Sequence, residues 1–192
     1  MKNRKPKIIK FLAEIEKAKI IERQMYCSGL ERKESDAEHS WHMAMFLILF
    51  KKEFSKKYDI SKAVKIALIH DLAEIYVGDI FAFDVQKRKN KMPEENKAAK
   101  KLFSKLPKDL DSELLKLFME YQNQTSPEAK LVKAFDKIQP ILQNIVSDGK
   151  SWKEHKITLK QIDDLKRQSV DFDKDTLEIY ELILREAKKI II

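Results

Sequence analysis

Ser35-Asp36-Ala37-Glu38-His39-Ser40-Trp41-His42-Met43-Ala44-Met45-Phe46-Leu47-Ile48-Leu49 begins with a serine three places ahead of a glutamate, then carries no Asp, Glu, Lys or Arg from Ser40 to Phe50. A serine hydroxyl and a glutamate carboxylate at that spacing satisfy two exposed backbone donors reciprocally, so a helix is expected to start near Asp36. Ala37, Trp41, Ala44, Met45, Ile48 and Leu49 recur at helical spacing and mark its apolar face. The uncharged run is 11 residues, against the roughly 20 that a membrane-spanning helix needs.

Helical periodicity continues outward on both sides. Ile8, Phe11, Leu12, Ile15 and Ala18 share a face upstream. Downstream, Ser61 is read as the cap of a helix carrying Ala63, Ile66, Ala67 and His70 on one stripe, with Val64, Leu68 and Asp71 on the next. Residues 84–92 lack an apolar period and predict an exposed basic loop, after which Pro93 suits the first turn of another helix. Leu114, Leu117, Phe118 and Tyr121 mark the next one. Ser126-Pro127-Glu128 starts a long helix through Leu131, Phe135, Ile138, Leu142 and Ile145, which Pro140 is expected to kink or split. Beyond Gly149 follow a helix around 157–168 and a last one with Leu177, Leu184, Ala187 and Ile191.

The chain has only 3 glycines and 5 prolines in 192 residues. Neither the phosphate loop G-x-x-x-x-G-K-[ST] nor the dinucleotide fingerprint G-x-G-x-x-G occurs, and little turn chemistry is left for a β-sandwich or barrel. The expectation is one all-α, multi-helix domain over residues 1–192, with its central part at 23–146 and helices within 157–191 packing on it.

Lysine and arginine number 39 against 31 acidic residues, a net charge of +8. The excess suits an anionic partner such as nucleic acid, a membrane surface or a phosphorylated metabolite, or a generally lysine-rich surface. It is concentrated in residues 1–29 and 85–110, while 30–84 is net acidic. A single cysteine, Cys27, excludes an internal disulfide and a multi-cysteine zinc site. With no targeting segment recognisable, a cytoplasmic protein is expected.

Four histidines are present: His39, His42, His70 and His155. Two stand among carboxylates, in Glu38-His39-Ser40-Trp41-His42 and in His70-Asp71-Leu72-Ala73-Glu74, with Asp79 just beyond. Adjacent residues on a helix point about 100° apart, so one ion between the stripes is reachable from both His70 and Asp71. Asp136, between Phe135 and Ile138 on an otherwise apolar helix, needs a cation, a hydrogen-bond network or exposure. Mixed nitrogen and oxygen donors favour a transition metal over magnesium.

The ordered set His39, His70-Asp71 and Asp136 resembles the signature of the HD-domain metal-dependent phosphohydrolases. Its context, Glu34-Ser35-Asp36-Ala37-Glu38-His39-Ser40-Trp41, Ile69-His70-Asp71-Leu72-Ala73-Glu74 with Gly78-Asp79, and Phe135-Asp136-Lys137-Ile138, is similar to the 5'-deoxynucleotidase branch, the YfbR-like and HD-domain-containing-protein-2-like enzymes. The resemblance implies His39, His70, Asp71 and Asp136 as ligands of one divalent ion (Mn, Co, Fe, Ni or Zn), with Glu74 and Asp79 catalytic and Arg23 on the substrate phosphate. Arg32 competes for that last role. It implies hydrolysis of deoxyribonucleoside 5'-monophosphates by a water the ion activates, commonly in a homodimer. Alternatives are a related hydrolase acting on a nucleoside triphosphate, cyclic dinucleotide or alarmone, and a basic all-α nucleic-acid-binding protein motivated by Lys87-Arg88-Lys89-Asn90-Lys91. His42 is a candidate neighbour of the ligands, although packing suits it better. His155 reads as surface, and Trp41, Phe81 and Phe83 could approach a base ring, although aromatics at these spacings are more often core.

Overall fold

The computed structural model describes residues 3–191, so Met1, Lys2 and Ile192 of the expected 1–192 span lie outside the described residues. Its helices are α1 (Arg4–Ile15), α2 (Asp36–Leu49), α3 (Ile60–Ile69), α4 (Glu74–Val77), α5 (Val85–Arg88), α6 (Lys91–Phe103), α7 (Lys108–Asn123), α8 (Pro127–Val146), α9 (Lys150–His155), α10 (Leu159–Val170) and α11 (Lys174–Ala187). One antiparallel pair, β1 (Glu22–Tyr26) and β2 (Lys33–Ser35), is the only sheet among the described residues. The fold is helical, as the composition requires. The hairpin was not anticipated; its turn contains Gly29 at φ +69°, a conformation that favours glycine.

Helix α8 is the axis of the molecule. It packs against α2, α3, α7, α10, α11 and β1, with Leu131, Phe135, Ile138 and Ile141 buried along it. Ser126 caps it by accepting from the Ala129 amide, and Pro127 occupies the first turn, where a missing N–H costs nothing. Pro140 does not split the helix, which runs unbroken for 20 residues. The neighbours packed around α8 outweigh the one backbone bond that proline cannot donate.

Helix α2 starts where predicted. Ser35 Oγ accepts from the Glu38 amide, and Glu38 accepts from the Ser35 amide at 2.9 Å. Its buried face is another matter: Asp36, His39, Ser40, Met43, Phe46 and Leu47 face inward with Ala44, whereas Trp41 and Leu49 are 62% and 69% exposed. This helix is apolar on every side after its first turn, so counting apolar residues selects no face. Three further expectations are corrected. Asp59, not Ser61, caps α3, its Oδ1 accepting from Lys62 N at 2.9 Å. The supposed loop 84–92 is α5 followed by the start of α6, and its last lysine turns inward. Helix α9 was not foreseen; Gly149 precedes it at φ +64°, where a Cβ would stand 2.8 Å from Ile190 Cγ2.

Candidate metal centre and its cavity

Four elements bring the chemistry together. The buried face of α2 supplies His39, the C-terminal end of α3 supplies His70 followed by Asp71, α8 supplies Asp136, and β1 supplies Arg23. His39 and His70 are fully buried with ring centroids 5.4 Å apart. His39 Nε2 lies 3.4 Å from Asp136 Oδ1 and 3.9 Å from Asp71 Oδ2, and His70 Nε2 lies 3.0 Å from Asp71 Oδ2. One donor atom each from His39, His70 and Asp136 lie within 4.8 Å of one another, as do donors from Asp36, Asp71 and Glu74. Asp71 falls in the second group; Arg23 Nη1 holds its Oδ2 at 2.9 Å, and the same oxygen faces both imidazoles.

The histidine tautomers follow from their outer partners. His70 Nδ1 lies 2.8 Å from the Ala67 carbonyl, which can only accept, so the proton sits on Nδ1. Gln139 Nε2 donates to Glu34 Oε1 at 2.7 Å, which turns Gln139 Oε1 toward His39 Nδ1, also at 2.7 Å. His39 therefore also carries its proton on Nδ1. A neutral ring at either position carries its lone pair on Nε2, and among the described residues neither Nε2 has a hydrogen-bond partner. Two buried, unpartnered imidazole nitrogens directed at two carboxylates fit a divalent cation, which would bind both rings in their neutral form.

Charge in the cluster is unevenly matched. Burial, then the Arg23 charge, push the His39 imidazole down to about 4. Burial also works against a charged His70, but the Asp71 carboxylate beside it outweighs this and raises its pKa. Burial would raise Asp71 and Asp136; His70 and Arg23 hold the first well below the usual carboxylate range, Lys137 and Lys133 the second. Glu74 goes the other way, since burial and then the Asp71 charge favour its protonated form despite Lys91 Nζ at 2.7 Å.

A cavity of about 190 Å³ opens over this cluster, and Arg23, Asp71, Glu74, Asp79 and Asp136 line it. Arg32 does not reach it; that guanidinium binds Glu38 at the surface. His42 touches the cluster only through Gln139, at 3.2 Å. Phe81 and Phe83 pack against the core and also line the cavity, whereas Trp41 lies outside it, exposed, and the exposed His155 sits tilted against Phe81. Sequence reasoning missed Gln139, Glu34, Asp36, Tyr121 and Lys91. Tyr121 donates to Asp136 Oδ2 at 2.9 Å. A signal was present: Asp136, Gln139 and Gln143 form a polar stripe at helical spacing on the buried side of α8.

A helical fold built around α8 that brings two histidines and two aspartates close together makes a candidate metal-binding helical domain. Residues 15–177 match the model of the HD domain family, and the chain belongs to that family. Among solved structures, it is similar to a protein from Magnetospirillum magnetotacticum described as a predicted metal-dependent phosphohydrolase. They share 33% identity at a TM-score of 0.87, over 97% of this chain and 94% of that one. A conserved hypothetical protein from Pyrococcus furiosus shares 29% identity at a TM-score of 0.65, over 92% of this chain and 99% of that one. Among curated proteins, the bovine 5'-deoxynucleotidase HDDC2 is 40% identical and its human counterpart 38% identical. Each match runs over 115 residues, 60% of this chain and 55% of the relative. The chain thus matches only about half the length of these curated relatives.

Proposed function

We propose that this chain is a metal-dependent 5'-nucleotidase that converts deoxyribonucleoside 5'-monophosphates to deoxyribonucleoside and phosphate. The observation that carries the reading is the pair of unpartnered, buried Nε2 atoms of His39 and His70 facing Asp136 and Asp71, two carboxylates that line the cavity. The names of the curated relatives support the substrate class.

His39, His70, Asp71 and Asp136 would hold one divalent transition ion. Such an ion polarises a phosphoryl oxygen and lowers the pKa of water. Arg23 keeps Asp71 ionised and meets the substrate phosphate from β1. Glu74, which burial keeps inclined to hold a proton, donates it to the 5' oxygen of the leaving nucleoside. Lys91, 2.7 Å from Glu74 Oε1, fixes that carboxyl and steadies its anion once the proton has gone. Asp79, half-buried in the cavity wall, adds negative potential that keeps Arg23 charged.

The test is phosphate release from a panel of ribo- and deoxynucleoside monophosphates by purified protein loaded in turn with Mn, Co, Fe, Ni and Zn. Phosphate and nucleoside from deoxynucleotides are the expected products. Pyrophosphate or tripolyphosphate from longer nucleotides would select the related-hydrolase alternative, and no product with any ion would overturn the reading.

The domain is read as one unit from 1 to 192, a cytoplasmic homodimer. Its lone cysteine suits a reducing compartment, and among the described residues no helix is long and apolar enough to cross a membrane. Trp41, Ile48 and Leu49 lie exposed along one face of α2, which supports self-association there. Leu49→Glu is expected to shift the light-scattering mass from twice the chain mass to the chain mass.

A further inference from the structure

The cations around the cavity are of two kinds. Arg23, Lys91, Lys133 and Lys137 each have a carboxylate oxygen within 3.3 Å: Asp71, Glu74 and, for both Lys133 and Lys137, Asp136. Arg88 and Lys166 also line the cavity, and neither has an acidic partner among the described residues. Arg88 donates to the Ile80 carbonyl at 3.2 Å and Lys166 to the Lys137 carbonyl at 3.1 Å.

Lys166 is placed against its own interest. The buried residues of α10 are Ile162, Lys166 and Val170, one stripe at i, i+4 and i+8, with the lysine in its middle. Only 6% of Lys166 is exposed, and taking an ammonium out of water without a counter-ion costs several kcal/mol. Burial, then the neighbouring Lys137 charge, push its pKa down to about 7. An aliphatic side chain would complete the stripe without that cost, so packing does not account for a lysine here. Asp136 attracts the ammonium, and Arg23 and Arg88 repel it, but no carboxylate among the described residues lies within ion-pair distance of Lys166 or Arg88, so two cations without a salt-bridge partner line the cavity beside the candidate metal centre.

We propose that Lys166 of α10 and Arg88 of α5 together form the seat of the substrate's phosphate group and of the phosphate released from it. The proposal rests on the phosphohydrolase reading for its substrate, and on the two unpaired cations for its chemistry. Two positive charges match a phosphate dianion, and the guanidinium can bind two of its oxygens at once. Arg23, already engaged with Asp71, is then left to orient the ligand set as much as to bind substrate. The seat also makes α10, which lies more than 20 residues beyond the last proposed metal ligand in sequence, part of the working site.

The experiment compares the full-length, metal-loaded protein with Lys166→Met and Arg88→Met, titrating inorganic phosphate by calorimetry and measuring kcat and KM on a deoxynucleoside monophosphate. Each variant is expected to weaken phosphate binding at least tenfold and raise KM by a similar factor. Metal content should stay unchanged and kcat should stay within about threefold. Arg88 is half-buried on a short helix, so its variant keeps the test open if Lys166→Met folds poorly. Phosphate affinity and KM within twofold of wild type in a folded variant would overturn the seat, as would loss of metal in both variants. If wild-type protein hydrolyses no nucleotide but binds phosphate in a Lys166- and Arg88-dependent way, the seat stands and the nucleotidase reading falls.

Discussion

The cavity has two walls with opposite shortages. On one, Asp71, Glu74 and Asp136 already have internal cations in Arg23, Lys91, Lys133 and Lys137, and what lacks a partner is a pair of imidazole Nε2 atoms. On the other, Lys166 and Arg88 have only backbone carbonyls as partners among the described residues. The first wall lacks a cation and the second an anion. A metal ion and a phosphate would satisfy both, whereas a purely structural cluster would have paired its charges internally.

Removing a proposed metal ligand breaks that contrast most severely. Asp71→Ala deletes the oxygen that reaches both imidazoles and frees Arg23. Bound metal, measured by elemental analysis, is expected to fall below about a tenth of an equivalent, and phosphate release by at least about a thousandfold. Activity that survives the loss of metal would sink the mechanism.

Gln139→Leu leaves every proposed ligand in place and removes the group that orients His39, together with its bonds to Glu34 and His42. Its expected effect is a weakening of metal affinity by about 10–100-fold, read by competition with a chelator, while saturating metal restores most of the rate. A role in packing alone would lower the melting temperature and leave metal affinity unchanged.

Lys166→Met sharpens the second wall through stability. The wild-type ammonium has its pKa lowered in the folded state, to about 7 from 10.5 when unfolded. The unfolded chain therefore binds more protons between those values, and folding becomes more favourable as pH rises from 7 toward 10. At pH 7 the methionine variant is expected to be more stable in urea by roughly 2–4 kcal/mol, a gain that shrinks by pH 9.5. Equal stability at both values would mean that the burial of this charge is not costly.

The smallest effect is expected from the surface. Arg32→Ala removes an exposed ion pair with Glu38, whose carboxylate keeps its bond to the Ser35 amide. Stability should change by no more than about 1 kcal/mol and phosphate release not at all. A loss of activity would move Arg32 into the site and displace Arg23.

Much was legible in the linear chain because it is local. The start of α2 was readable because Ser35 and Glu38 find each other within one turn. The helical class followed from periodicity and from the scarcity of glycine, and the order of His39, His70-Asp71 and Asp136 carried the family resemblance. Asp136 also marked itself as anomalous, being a charge between two core residues. Phe81 and Phe83 could not be assigned in this way, since an aromatic side chain reads the same whether it faces a core or a cavity.

What the tertiary structure alone decided depends on partners distant in sequence. Helix α2 is apolar all round, so its buried face was settled by what α3 and α8 present to it, and Trp41 ended outside. Lys91 turned inward because Glu74 and Glu95 stand there to receive it, although the run 84–92 reads as solvent-exposed. Gln139 and Glu34, 105 residues apart, acquire their task only when α8 meets β2 and α2. Capping and periodicity are properties of one turn of chain and can be read from neighbours. The pairing of buried charge is a property of the packed interior, and its most telling members, Lys166 and Arg88, stand out by the partners they lack.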